Sequence, residues 1–198
     1  LGDPAFEAVY GWEAGGQTIS DLAGSLLSPA LVNAMDKPPE ELVEDYRFPR
    51  DQRPYLHQVQ AWEILAQESP QSLIVASGTG SGKTECFMVP ILDRLVKQRE
   101  QQKSRLTGVR ALFLYPLNAL INSQRERLRA WTSEFGSDIR FCLYNGNTPE
   151  NQRGQVHSET PNEVVDRKTL RSAPPPILVT NASMLEYMLV RTVDAPIL

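Results

Sequence analysis

Cysteine and histidine are scarce in this chain of 198 residues, which contains two of each. Cys86 and Cys142 are too few for a disulfide scaffold, so we expect two reduced, apolar thiols and a cytoplasmic protein. His57 and His157 share no metal-ligand spacing with the cysteines. The sequence therefore predicts no zinc site.

Long apolar runs and an excess of basic residues are also lacking. No run approaches the roughly 20 apolar residues that span a bilayer, so we expect no membrane partner. The chain begins at Leu1 without a basic stretch and an apolar core, so we expect no signal peptide and a piece of a longer protein. The net charge is −4, so nucleic-acid binding would have to come from local patches.

Residues 1–52 are predicted to form a small helical appendage and connector. Apolar residues recur at helical spacing between Thr18 and Met35, with Thr18 or Ser20 as a possible cap and Pro29 between two short helices. A short acidic helix and a proline-punctuated connector follow.

Residues 53–198 alternate between helical and strand patterns. Short apolar strands are predicted at 72–77, 109–116, 139–144 and 176–181, each separated from the next by a helical or polar segment. This pattern predicts an α/β fold, with a parallel sheet covered by helices on both faces. Residues 146–176 are the exception and are predicted to be an irregular polar loop with a functional or mobile role.

The stretch SGTGSGKT, residues 77–84, follows one of these strands and precedes a long helix. Its glycines let successive backbone N–H groups face one concavity, which with the positive end of the helix forms an anion site. Lys83 is predicted to reach the outer phosphates of ATP and Thr84 to bind Mg²⁺. A merely flexible glycine-rich loop would not need a strand before it and a helix after it.

The chain resembles superfamily 2 helicases from about residue 53 onward. Serine replaces the first glycine of the P-loop at Ser77, a change that this superfamily tolerates. The preceding YLHQ resembles the Q motif, which implies that Gln58 reads adenine and that Tyr55 or Phe48 stacks on the base. Taken alone, Gln58 could equally be a solvated helix residue. The nucleotide-binding residues implied are Phe48, Tyr55, Gln58, Ser77, Gly78, Thr79, Gly80, Ser81, Gly82, Lys83, Thr84 and Glu85.

Three later segments resemble the nucleic-acid-binding motifs of the same superfamily. YPLNALINSQ resembles motif Ia, YNGNTPE resembles the GDTP segment, and VTNASMLEY resembles motif Ib with Ala182 in place of proline. Each follows a predicted strand, and in open parallel sheets ligands bind at the carboxyl ends of strands. Asn118 is also a plausible helix cap, and a solvated face is expected for at least two of Arg125, Arg127 and Arg129. The nucleic-acid contacts implied are Pro116, Leu117, Asn118, Gln124, Arg125, Gly146, Asn147, Thr148, Asn181 and Ser183.

An apolar strand that ends in an acidic pair, which this superfamily uses for hydrolysis, is not found. Glu44 and Asp45 precede the P-loop in a helical context, and Asp166 is followed by Arg167 in the polar connector. We therefore expect these 198 residues to bind ATP without hydrolysing it. In this superfamily the strand that carries the acidic pair lies next to the P-loop strand. Without it, we expect unpaired backbone on one side of residues 72–77.

The resemblance implies an incomplete first RecA-like domain of an ATP-dependent helicase or translocase. It is strongest to large bacterial DEAD/DEAH-box helicases of DNA repair and anti-phage defence, such as the Druantia type. The implied cofactors are ATP and Mg²⁺. The implied partners are DNA, with RNA not excluded, a second RecA-like domain, and repair or defence subunits. The alternative is a stand-alone nucleotide-binding interaction module; a P-loop kinase lacks support because the flanking motifs differ.

Overall fold

The computed structural model describes residues 11–152 and 160–198. The amino-terminal part contains α1 (Ile19–Leu22), α2 (Pro29–Asp36), a 3₁₀ turn (Glu40–Leu42) and α3 (Val43–Tyr46). Thr18 caps α1 in a reciprocal box with Asp21, which confirms one of the two predicted caps. Pro29 is the first residue of α2, where its missing N–H costs nothing.

Three longer helices form the body of the rest. They are α4 (Leu56–Leu65), α5 (Lys83–Gln102) and α6 (Asn118–Thr132), and a 3₁₀ turn (Ser133–Phe135) extends α6. Two helices and a 3₁₀ segment follow toward the end, namely α7 (Arg167–Ser172), α8 (Ala182–Val190) and Thr192–Ile197. Within the described residues, no helix is both long and apolar enough to cross a membrane.

A parallel sheet lies at the centre of the described part. Its strands are β1 (Ala111–Leu114), β2 (Phe141–Leu143) and β3 (Ile177–Thr180), in the order β1-β3-β2. Ala111 and Phe141 both align with Ile177, so the three strands end at the same edge. The middle strand β3 is buried along its whole length, as expected for a strand covered on both faces. Three of the four predicted strands are thus confirmed.

Each face of the sheet has its own hydrophobic core. Ile177 and Val179 face the larger core, which the amino-terminal helices, α4, α5 and α6 complete. Leu178 and Cys142 face a smaller core with Met184 and other residues of the last helices. The alternation along β3 reflects the two-residue period of a strand. Helices on both faces confirm the predicted α/β class.

The predicted strand at residues 72–77 is wrong as a sheet strand, since the segment is extended but pairs with no strand in the described part. Leu73 and Val75 pack against the larger core, whereas the side chain of Ile74 is 93% exposed. A cavity of about 840 Å³ separates the segment from α5 and β1. A strand is stabilised by pairing along its backbone, and the described residues provide no partner on either side of this one.

The predicted irregular connector, 146–176, is also only partly correct. It contains helix α7, which begins after Asp166 because the Asp166 carboxylate accepts a hydrogen bond from Thr169 N at 2.7 Å. Leu170 anchors this helix in the smaller core. Residues 153–159 of the connector, which include His157, lie outside the described residues.

Candidate nucleotide and nucleic-acid site

The P-loop is curled by two glycines in the left-handed region. Gly80 has φ +78° and Gly82 has φ +72°, and α5 begins directly after Gly82, at Lys83. Ser77 Oγ lies 2.6 Å from Ser81 Oγ, which closes the loop. Lys83 Nζ donates to Ser77 O at 2.9 Å and to Gly78 O at 2.6 Å. The lysine and the start of α5 therefore lie at the curled loop, which is the arrangement of an anion site at a helix N-terminus.

Helix α4 holds the P-loop and the first turn of α5 in place through three side chains. His57 Nε2 donates to Ser81 O at 2.8 Å, and Trp62 Nε1 donates to Glu85 O at 2.9 Å. Gln58 Nε2 donates to Gly82 O at 3.1 Å, while its Oε1 accepts from Tyr55 N at 2.8 Å. Gln58 is buried, so it is not the solvated residue that its position alone allowed. Both ends of its amide are engaged with the protein.

A cavity of about 180 Å³ opens between α4, the P-loop and α6. Tyr55 lines it, and its ring stacks on His57 with centroids 5.7 Å apart. Phe48 also lines it but is only 6% exposed, because its ring stacks on Trp131 and meets Trp62 edge-on. Of the two aromatic residues considered for base stacking, Tyr55 is the more accessible.

Arg127 is a residue of this cavity that sequence reasoning missed. Its Nη1 lies 2.8 Å from Glu85 Oε1, and its guanidinium lies 5.7 Å from the centroid of the Trp131 ring. The pair joins α6 to the first turn of α5 and places a cation and a carboxylate at this cavity. No local sequence signal links the two residues, which are 42 positions apart.

Trp12 is a second residue that the sequence did not reveal. A side chain at Gly78 would come within 3.2 Å of its ring, so the indole covers the start of the P-loop. Trp12 also meets His57 edge-on, with centroids 6.0 Å apart. The amino-terminal segment therefore contacts the P-loop directly.

The segments that follow β1 and β3 meet at the carboxyl edge of the sheet. Asn181 Nδ2 donates to Asn118 Oδ1 at 2.9 Å, so these two predicted contacts share one surface. Asn181 also caps α8 by accepting from Met184 N at 2.8 Å. The prediction that Asn118 caps α6 is wrong, because Leu117 occupies the cap position and the Asn118 side chain is used by Asn181.

The loop that follows β2 is held by hydrogen bonds from Arg167, the first residue of α7. Thr148 Oγ1 donates to Leu143 O at 3.0 Å, and Arg167 donates to the carbonyls of Thr148 and Gly146 at 2.8 and 3.3 Å. Gly146 and Asn147 are exposed. Arg167 is a positioning residue that the sequence did not reveal, since it satisfies the loop carbonyls. The N–H groups of Asn147 and Thr148 are bonded within the loop, to Asn145 Oδ1 at 2.9 Å and to Asn145 O at 3.1 Å.

All three arginines of α6 form ion pairs within the protein, and their side chains remain 25–43% exposed. Arg125 Nε lies 2.8 Å from Glu163 Oε1, Arg127 pairs with Glu85, and Arg129 Nη1 lies 2.8 Å from Glu126 Oε2. Their partners lie in α5, in α6 itself and in the segment before α7, because residues two positions apart point in different directions on a helix. Arg125 therefore lies in an ion pair with a buried carboxylate rather than free at the surface.

The other predicted contacts differ in accessibility. Pro116, Leu117 and Ser183 are exposed at the carboxyl edge, while Gln124 is half-buried and its Oε1 has no hydrogen-bond partner among the described residues. Thr84, the predicted Mg²⁺ ligand, is half-buried in the first turn of α5. The described residues contain no group of three or more His, Cys, Asp or Glu side chains that could hold a metal ion by themselves.

Comparisons with known proteins agree with this geometry. The sequence profile of the DEAD/DEAH box helicases matches residues 55–195. The chain is 43% identical over 110 residues to the Druantia protein DruE of Escherichia coli, which covers 50% of this chain and 6% of that protein. It is 30% identical over 102 residues to the ATP-dependent helicase YprA of Bacillus subtilis, which covers 52% of this chain and 12% of that protein.

The fold is similar to that of the DUF1998 helicase MrfA, in a crystal structure bound to DNA. The TM-score is 0.58 at 22% identity, over 93% of this chain and 21% of that one. The chain therefore spans only a small part of these relatives. Because the helicase profile matches well over half of the chain and the P-loop has the expected geometry, the chain belongs to the DEAD/DEAH box helicase family.

Proposed function

We propose that this chain is the ATP-binding part of a superfamily 2 helicase or translocase motor that acts on DNA. The observation that carries the proposal is the role of α6 as a bridge between two sites. Its first residue, Asn118, holds Asn181 at the carboxyl edge of the sheet, and its Arg127 holds Glu85 at the P-loop. Nucleotide-dependent movement of the P-loop helix would thus reach the surface that contacts the polynucleotide.

The P-loop residues fit a nucleoside triphosphate with Mg²⁺. Lys83 already donates to two carbonyls, and phosphate oxygens in the same concavity would offer it stronger, charge-assisted bonds. Thr84 would hold the metal, which when bound neutralises phosphate charge. Tyr55 and Gln58 line the cavity in which the base would lie. Gln58 would exchange one of its two internal hydrogen bonds for one to adenine.

The carboxyl edge suits a polynucleotide backbone. Asn118, Asn181 and the exposed loop residues Gly146 and Asn147 offer uncharged polar groups, which position phosphates without reading bases. We expect binding that tolerates sequence changes and weakens with salt.

The choice of DNA and of a biological role is supported by the relatives. One similar structure is bound to DNA, and DruE is a Druantia protein. We therefore propose a cytoplasmic role in DNA repair or anti-phage defence, with a second RecA-like domain and further subunits as partners. Residues 1–52 are proposed to act as an appendage of the first motor domain, which begins near residue 53.

ATP binding tests the nucleotide site. We expect Lys83→Ala to weaken binding of a fluorescent ATP analogue roughly 10- to 100-fold, because one charge-assisted hydrogen bond contributes about 1.5–3 kcal/mol. Lys168→Ala, which removes an exposed lysine of α7, is the matched control and should bind as the unmodified chain does. Equal affinity of both variants would contradict the assignment.

Turnover tests the expectation that these residues do not hydrolyse ATP by themselves. We expect negligible steady-state phosphate release with or without single-stranded DNA, since no acidic pair follows an apolar strand in the sequence. DNA-stimulated release that Lys83→Ala abolishes would overturn this expectation.

A further inference from the structure

A second polar cavity lies at the opposite, amino-terminal edge of the sheet, directly before β2. Its volume is about 290 Å³, and its lining residues are Arg105, Ser137, Arg140, Pro161, Glu163 and Thr169. None of the predicted nucleotide-binding or nucleic-acid-binding residues lines this cavity. The nucleotide site and the strand-end loops therefore do not explain it.

Arg140 is a buried cation without a counter-charge in the described part of the chain. Its side chain lines the cavity, and the residue is only 4% exposed. One nitrogen, Nη2, donates to Ala173 O at 2.9 Å at the end of α7, but Nε has no acceptor among the described residues. Within residues 11–152 and 160–198, no carboxylate lies within ion-pair distance of Arg140. Burying an unpaired charge is costly, so a partner is expected.

The neighbouring charges do not supply this partner. Burial and, to a smaller extent, the nearby cation Arg105 lower the pKa of Arg140 to about 10. Glu163 also lines the cavity, but both of its carboxylate oxygens accept from Arg125 Nε, at 2.8 and 3.1 Å. Thr169 Oγ1 donates to Asp166 at 3.1 Å. The cavity is thus lined by two arginines, a serine and a glutamate whose carboxylate is paired with Arg125.

We propose that the cavity formed by Arg105 and Arg140 is a binding site for a phosphate-class oxyanion. The planar guanidinium groups match the geometry of such an oxyanion, and Ser137 offers a further donor. The anion would supply the counter-charge that Arg140 lacks and would separate two like charges. It could be free phosphate or a phosphate group of a polynucleotide that wraps around the domain. The site does not depend on the proposed motor function.

Thermal unfolding in the Lys83→Ala background tests the site without interference from the P-loop. We expect inorganic phosphate to raise Tm relative to chloride at equal ionic strength, by roughly 2–6 °C at about ten times Kd. Arg105→Ala should remove most of this rise, and because Arg105 is exposed this variant should fold. Arg140→Lys keeps the charge but loses the planar fork, so we expect phosphate affinity to fall about tenfold.

The control variant and a second measurement separate the two sources of the anion. Arg110→Ala removes an exposed arginine outside the cavity and should leave the phosphate effect unchanged. If Arg105→Ala also lowers affinity for single-stranded DNA several-fold more than Arg110→Ala does, the source is a polynucleotide; if only the phosphate effect is lost, it is free phosphate. The proposal is overturned if neither Arg105→Ala nor Arg140→Lys changes the phosphate effect or the DNA affinity.

Discussion

At Gly82, both the backbone conformation and the packing require glycine. Its φ of +72° lies in the left-handed region, and a Cβ there would come within 2.2 Å of Gln58 Nε2. Gly80 has a similar φ, +78°, but a Cβ there would meet open space. A side chain at Gly80 would therefore introduce backbone strain alone, whereas a side chain at Gly82 would introduce both strain and a steric clash.

We expect Gly80→Ala to cost about 1–2 kcal/mol of unfolding free energy through strain alone. Gly82→Ala should cost more and should weaken ATP binding further, because Gln58 must also move. Denaturant unfolding and ATP titration of both variants measure the two contributions. Equal losses of unfolding free energy and of ATP affinity in the two variants would show that the clash with Gln58 does not contribute to either.

Glu163 makes the stability of the protein depend on pH in an unusual direction. Burial raises its pKa above the ordinary value of 4.5, although the hydrogen bond and charge of Arg125 oppose this rise. The folded state then binds a proton more readily than the unfolded state. The contribution of Glu163 to stability therefore increases as pH falls through the raised pKa, is complete below 4.5, and is lost as pH rises.

We expect the difference in unfolding free energy between the unmodified chain and Glu163→Gln to shift in favour of the unmodified chain on acidification toward pH 4.5. Denaturant unfolding at several pH values measures it. Glu100→Gln, an exposed site on α5, is the control and should show no such trend. The opposite slope would mean that the ion pair with Arg125 outweighs burial.

At the scale of elements, Asn181 has two roles that can be separated. Its Oδ1 caps α8 and its Nδ2 holds Asn118 at the start of α6. We expect Asn181→Ala to cost about 1 kcal/mol, as loss of a cap usually does. Asn181→Asp keeps a capping oxygen but loses the donor, so it should retain most of the stability while weakening single-stranded DNA binding. Unfolding and fluorescence anisotropy measure the two effects; unchanged DNA affinity in both variants would argue against a role in binding.

Pattern and capping predicted most elements well, and the differences have specific causes. The sequence indicated the strands at β1, β2 and β3 because apolar runs of this length need burial on two faces. Residues 72–77 have the same apolar pattern, but a strand also needs a neighbouring strand to pair with. The local pattern does not show whether that neighbour is present. Helix α7 was missed because its apolar stripe is limited to Leu170 within a polar segment.

At the scale of the whole molecule, the amino-terminal segment shares one hydrophobic core with α4, α5 and α6. Phe48 contacts Trp62 of α4 and Trp131 of α6, and Trp131 Nε1 donates to Tyr46 O at 2.8 Å. Asp93 of α5 accepts a hydrogen bond from Ser28 N. The segment therefore supports α4 and α6, the two helices that border the cavity lined by Tyr55 and Gln58.

We expect Phe48→Ala to destabilise the fold by about 3–5 kcal/mol, because it leaves a cavity between two tryptophans. Phe48→Leu, which keeps most of the volume, should cost about 1.5 kcal/mol or less. Thermal or denaturant unfolding of both variants measures the difference. A small loss of unfolding free energy in Phe48→Ala would show that the amino-terminal segment packs only loosely and that neighbouring side chains can fill the space of the ring.

The sequence alone determined the P-loop, its position before a helix, the parallel α/β class and the resemblance to helicases, because these depend on local spacing and on residues adjacent in the chain. Only the tertiary structure decided that Gln58 is held by Gly82, that Arg127 pairs with Glu85, that Trp12 covers Gly78 and that Arg140 lies buried without a carboxylate. These contacts join residues 24 to 66 positions apart or depend on burial. Contacts between residues far apart in the chain, and the burial of side chains, arise from tertiary packing. The local sequence pattern does not encode this packing.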